Sequence, residues 1–195
     1  RQGRVVFLED VLNRAVEQTK QIILEKNVTT ENIDETAHDV GVGAVVFNEL
    51  SNYRIKDYVF SWDKVLNFEG ETGPYVQYTH ARACSILRRA GEDTVKAAKK
   101  GFDTSWITGE SAHHLIKLLY ALPEVIKEAG EKYEPSIVTR HIVDIAQGFN
   151  KFYHDEHILV EDEKEKTAKV ALVLAVQTAI KIGLGLLGMK APEKM

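Results

Sequence analysis

The chain has 195 residues and a mass of 21.9 kDa, which is room for one large domain, or one domain and part of another, with a sizeable core. Apolar residues make up 44% and charged residues 28%, so intrinsic disorder is excluded as its main character. A single cysteine, Cys84, excludes a disulfide framework and a cysteine-only metal site, and fits a reducing cytosol.

Charge is uneven along the chain. The net value is −4, but residues 1–74 hold 8 Lys and Arg against 13 Asp and Glu, and residues 75–195 hold 17 against 16. Within 82–100, Arg82, Arg88, Arg89, Lys96, Lys99 and Lys100 face only Glu92 and Asp93. That patch either meets phosphates or is a solvated helix face. The opening RQGRVVFLED has charges within its apolar part and does not read as a signal peptide. A start at Arg1 carries the expectation of a processed or excised chain. The longest apolar run, 170–187, is broken by Gln177, Thr178 and Lys181, short of the ~18 residues of a membrane span.

In chain order, Leu8, Val11, Leu12, Ala15, Val16, Thr19, Ile22 and Ile23 recur at three-to-four spacing and predict a helix over 8–26. Thr29-Thr30 before Glu31 and Ile33 predict a helix start running towards His38. VGVGAVVFNEL at 40–50 is a closely packed segment in which Gly41 and Gly43 either cap or permit close helix approach. Residues 58–62 read as an extended linker, and 68–74, with two glycines and a proline, as a turn. Thr72 as N-cap, Pro74 in the first turn and Gly91 beyond the end frame a helix over 75–90. Further helices are predicted at 111–122, ended by Pro123, at 124–129, stopped by Gly130, from Pro135 with Ile137, Val138, His141, Ile142, Ile145, Phe149 and Phe152 as its buried stripe, and at 163–187. Short connections make this an all-α, antiparallel helical bundle.

No HExxH, GxSxG, Walker or GxGxxG motif is present, and no catalytic residue is expected. His154 and His157 alone do not make a metal site, and Cys84 among Ala83, Ile86 and Leu87 reads as a buried spectator. On the 75–90 helix, Tyr75, Tyr78, Arg82, Ser85 and Arg89 share one face, flanked by Arg88, opposite an apolar stripe of Val76, His80, Ala83, Leu87 and Ala90. Aromatic rings stack splayed bases and guanidinium groups reach phosphates or base edges, which is what single-stranded RNA requires. Tyrosines at this spacing can equally be half-buried core. Phe149, Tyr153 and His157 repeat at four-residue spacing and predict a second stacking surface.

The run FEGETGPYVQYTHAR at 68–82 closely resembles the FEGxTGPYxQYxHAR segment of arginyl-tRNA synthetases over fifteen residues. Residues 1–12 resemble the stretch leaving that family's KMSKS-type loop, 41–62 its VGAVxFxxL…DYVFxWD passage, and QGFNKFY at 147–153 with the ending LLGMKAPEKM its anticodon-binding domain. The resemblance covers the whole chain. It implies a C-terminal piece of a class I synthetase: the last helices of the catalytic body over 1–74, then the all-helical DALR-type anticodon-binding domain over 75–195. The full enzyme is implied to join arginine to tRNA(Arg) in the cytoplasm, using ATP with Mg. The piece itself is expected to hold no cofactor, to lack activity, and to meet arginine and ATP only through the absent catalytic domain. Its implied partner is tRNA(Arg), with neither membrane nor DNA.

Arginine anticodons carry C in the middle, and an unstacked cytosine offers an N4 donor with N3 and O2 acceptors. The family's anticodon-loop contacts resemble Tyr78, Arg82, Arg88, Tyr153, the position of His157 and Met195. Arg82 or Arg88 can serve the acceptors, a backbone carbonyl or the Met195 carboxylate the donor, and Tyr78, Tyr153 and His157 the ring. A helical protein–protein docking module is the alternative. The acidic stretch 1–74 is expected to keep RNA contacts mainly to residue 75 onward.

Overall fold

The computed structural model describes residues 6–25 and 32–195, and every described element is helical. Helix α1 spans Leu8–Glu25, with Glu9 and Asp10 at the positive end of its dipole and Ala15, Thr19 and Ile23 buried. Helix α2 spans Ile33–Ser51, capped by the Asn32 side chain, which accepts from Glu35 N at 3.2 Å. The helix start expected at Thr29-Thr30, and residues 1–5 of the stretch that resembles the exit of a KMSKS-type loop, lie outside the described residues.

The segment 40–50 is thus the body of α2, not a separate element. Its glycines do not cap; they permit close approach. A Cβ on Gly41 would stand 2.8 Å from the Ala15 carbonyl and from Val16 Cα, and one on Gly43 would stand 2.9 Å from Gln77 Nε2. Only a residue without a Cβ lets α1 and the bundle come this near to α2. An irregular stretch over 57–61 leads to a single turn, α3 (Trp62–Val65). In the following turn Asn67 is the staple: its side chain accepts from Glu69 N at 2.9 Å, and its carbonyl accepts from Thr72 Oγ1 at 2.5 Å.

Helix α4 (Gly73–Ala90) begins as its sequence predicts, with Thr72 Oγ1 accepting from Tyr75 N at 3.2 Å and Pro74 in the first turn. Gly91, at φ 86°, ends it and at once starts α5 (Glu92–Lys100), a helix the periodicity did not reveal. With Ala98 its sole buried residue, α5 has no apolar stripe long enough to register. A 3-10 turn at Thr104–Trp106 follows.

Helix α6 (Glu110–Lys132) corrects the expectation of two helices divided at Pro123 and halted by Gly130. Proline removes the N–H that would bond the Leu119 carbonyl. Pro123 lies on the exposed side, while Leu115, Leu122 and Ala129 are buried on the other side. Packing of both halves against α7 outweighs the missing bond. The helix ends at Tyr133 in the left-handed conformation, φ 51° and ψ 40°.

Helix α7 (Ser136–Asp155) buries Val138, His141, Ile142, Ile145, Phe149 and Phe152, with Ile137 partly covered. Helix α8 (Glu163–Leu186) starts at Asp162, whose carboxylate accepts from Lys164 N and Glu165 N. By length and composition α8 could cross a membrane, but 56% of its apolar window is buried within the protein. It is the central helix, packed on α4, α5, α6 and α7. Gly183 lies so close to Ile142 that an added Cβ would stand 2.3 Å from Ile142 Cγ2. Gly188, at φ 73°, closes α8: its N–H donates to Gly185 O and the Met189 N–H donates to Leu184 O. That closure sends residues 189–195 back along α4.

Candidate nucleic-acid interface

Helix α4 supplies the floor of a cleft walled by α7 and residues 189–195. At its centre is Arg82. Its guanidinium carbon sits 5.1 Å from the Tyr78 ring centroid and 5.5 Å from that of Tyr153, so it is held between two aromatic faces. Tyr78 and Arg82 share a face of α4 because they are four residues apart. Tyr153 arrives from α7, tilted against the buried Phe149 with centroids 6.4 Å apart.

Asn150, three residues before Tyr153, locks this arrangement. Its side-chain oxygen accepts from Arg82 at 2.9 Å, and its amide donates to the Tyr75 hydroxyl at 2.8 Å and to Thr79 Oγ1 at 3.3 Å. With both ends of the amide used, Asn150 has one orientation and Arg82 one side aimed into the cleft. Tyr78 and Tyr153 remain 40% and 39% exposed, which leaves ring surface for stacking.

The third wall is tied down by backbone bonds. Gln77 Nε2 donates to Lys190 O at 2.9 Å, His80 Nδ1 to Pro192 O at 2.9 Å, and Arg88 to Glu193 O at 3.2 Å. Met189 is buried beneath them, and Met195 reaches the cleft. Two adjoining cavities result. One of about 730 Å³ lies towards Ile22, Phe68 and Tyr75; one of about 490 Å³ lies towards Arg88, Arg89 and Lys194. Tyr78, Arg82 and Met195 line both.

No ion pair ties Arg82, Arg88 or Arg89 to a carboxylate among the described residues. Their charge is available to an anion, and the cleft is cationic and aromatic. Cys84, behind the α4 face, is buried, and that burial pushes its thiol above the usual range.

Five of the six residues singled out in the sequence therefore converge: Tyr78, Arg82, Arg88, Tyr153 and Met195 all line the second cavity. His157 does not. The four-residue repeat from Tyr153 breaks because α7 ends at Asp155 and Glu156 is extended, φ −123° and ψ 130°. Lys169 explains the break. Buried on α8, it forms ion pairs with Glu156 and Glu165 at 2.8 Å each and donates to the His157 carbonyl at 3.0 Å. Sequence reasoning missed Asn150, Gln77 and the role of His80. A polar amide in mid-helix, where asparagine has low propensity, was the available signal for Asn150.

Residues 76–195, which contain every residue of the second cavity, match the family model described as "DALR anticodon binding domain". The chain belongs to the DALR anticodon-binding family. Residues 1–62 match a second model, the catalytic domain of class I (R) tRNA synthetases. Among curated relatives, the arginine–tRNA ligase of Halothermothrix orenii is 56% identical over all 195 residues, and that of Alkaliphilus metalliredigens 55%. The chain spans about a third of the length of these relatives, 34% of each. Among solved structures, the Thermus thermophilus arginyl-tRNA synthetase superposes with a TM-score of 0.89 at 33% identity, over 98% of this chain and 32% of that one. The Plasmodium falciparum arginyl-tRNA synthetase shares the fold, with a TM-score of 0.84 at 24% identity over 98% of this chain and 34% of that one. Residues 76–195, the DALR match, thus follow a stretch, 1–62, that is similar to a synthetase catalytic domain.

Proposed function

We propose that this chain reads the anticodon loop of an arginine tRNA, with an unstacked base entering the cleft between α4, α7 and residues 189–195. The observation that carries the reading is Arg82 held between Tyr78 and Tyr153 inside the segment that matches the DALR family. The tyrosine faces stack the base, the guanidinium donors serve the N3 and O2 acceptors of the middle cytosine, and a backbone carbonyl of the 189–195 segment accepts from its N4 amino group. Arg88 and Arg89 meet the phosphates. Met195 closes the cavity beside the ring. His157, outside the cleft, makes its RNA contact only with loop nucleotides beyond the specified base.

At the level of the longer protein, we propose ligation of arginine to tRNA(Arg) with ATP and Mg, carried out by a cytoplasmic translation enzyme whose active site lies outside residues 76–195. The domain division follows at the turn before α4, with 1–74 the end of the catalytic body and 75–195 the anticodon reader.

The test is a fluorescence-anisotropy titration of this chain with an arginine anticodon stem-loop and a matched stem-loop in which G replaces the middle C, at fixed moderate salt. The account expects the C form to bind more tightly by about 1–3 kcal/mol. Equal, salt-sensitive binding of both forms would reduce the cleft to an electrostatic contact. Binding of neither would move the protein-docking reading to first place.

A further inference from the structure

We infer that His80 is a positioning residue for base recognition: held as the Nδ1–H tautomer, it fixes the path of residues 190–193 along α4 and so sets where Met195 stands in the cleft. The inference rests on the reading of that cleft as an RNA-base site.

His80 is fully buried and does not reach the cleft. Its ring is nevertheless fully engaged. The Pro192 carbonyl can only accept, so Nδ1 carries the proton; Nε2 then accepts from Gln177 Nε2 at 3.0 Å, on α8. The ring is thereby aimed from behind by the central helix and grips the returning segment in front. Gln77, His80, Cys84 and Arg88 are spaced by three, four and four residues, one stripe of α4, and three of them engage the Lys190, Pro192 and Glu193 carbonyls of the segment. Of these contacts, the Arg88 bond is the longest and is exposed, and an arginine drawn to a phosphate would release it. The His80 bond is shorter, starts from a fully buried side chain, and lies three residues from Met195. The segment is therefore held through its backbone, and its last residue is placed by a side chain that RNA never touches. A base contact is sensitive to displacements of this size, because hydrogen bonds weaken steeply outside their narrow range of distance and angle.

Two variants and two readouts test it. His80→Phe keeps a ring and removes both ring hydrogen bonds; His80→Asn keeps an N–H near the Nδ1 position. The protein is labelled at its methionine methyl groups, of which there are two, Met189 and Met195, and its preference for the C over the G stem-loop is measured by anisotropy. In His80→Phe the preference falls about tenfold, and the Met195 methyl resonance moves towards its free value while that of Met189 stays. His80→Asn recovers most of both. Met195→Ala loses a similar share of the preference, and adding His80→Phe to it loses no more, because both act through one placement. Should His80→Phe not fold, Gln177→Leu, which removes only the bond that aims the ring, carries the same cycle. The inference is overturned if the preference survives His80→Phe, or if its loss adds in full to that of Met195→Ala. A parent protein with no preference for C overturns the cleft reading itself, and the role of His80 with it.

Discussion

Helices α4–α8 close around one large core that runs from Val76 through Phe149 to Leu184, whereas α1 and α3 share with α2 a cluster of five buried residues, Ala15, Ala44, Val45, Val65 and Leu66. Around that small cluster large apolar side chains stay exposed: Val6, Phe7, Leu8, Ile55 and Val59. Helix α2 belongs to both regions, since its Phe47 packs in the large core and its Ala44 and Val45 in the small one. The boundary between the two family matches, residues 1–62 and 76–195, follows the same division. The bundle has the burial to hold the second cavity, which is lined by its own residues alone. The first region has a thin core and leans on α2, which gives it lower local stability.

Breaking the large core should cost most. Phe149 is fully buried and also supports the Tyr153 ring, so Phe149→Ala should destabilise the whole chain by about 3–5 kcal/mol, measured by urea denaturation. Gly41→Ala should act on the other region. Its Cβ would meet backbone atoms of α1 at 2.8 Å, which cannot yield as a side-chain tip can. The expected cost is about 1–3 kcal/mol, read as loss of amide protection in α1 with α6–α8 still protected. Equal loss in all helices would contradict the division. Tyr153→Ala removes a ring already 39% exposed, so its thermal midpoint should barely move while RNA binding weakens by about 1–3 kcal/mol. Unchanged affinity would remove Tyr153 from the site.

The smallest effect is that of pH. Burial holds the His80 imidazole below its ordinary value of 6.5, and Lys181 lowers it further, against the opposing influence of the Pro192 carbonyl and Glu193; Cys84 is its other titratable neighbour. The unfolded chain therefore binds this proton more readily than the folded one. The stability His80 contributes is complete above pH 6.5 and declines as pH falls through the lowered folded value. The His80→Phe variant should show a flatter stability curve over that window by denaturant titration.

Much of the bundle was legible because its signals are local. Thr72, Pro74 and Gly91 mark the ends of α4, and the buried stripe of α7 is periodic from Ile137 to Phe152. The misses have tertiary causes. Gly41 and Gly43 left capping and close helix approach both open until α1 and Gln77 are seen against them, and Pro123, expected to end a helix, lies within α6. Tyr78, Arg82, Tyr153 and Met195 could be named in advance because they fall in segments that resemble the family, and Arg88 because it flanks the polar face of α4. His157 lies outside the cleft because Lys169, twelve residues on, ties down the α7–α8 connection, which nothing near it in sequence announces. The capture of residues 190–193 by α4 joins positions more than a hundred residues apart, and no local pattern encodes it.

The most direct measurement is the map of amide and methyl chemical shifts in the labelled protein as the C-form stem-loop is added. The account predicts the largest changes at Tyr78, Arg82, Arg88, Tyr153 and Met195, smaller ones at Lys96, Lys99 and Lys100, and almost none at Ile55 and Val59. Changes centred on the exposed apolar residues of the first region, with the cleft silent, would contradict it.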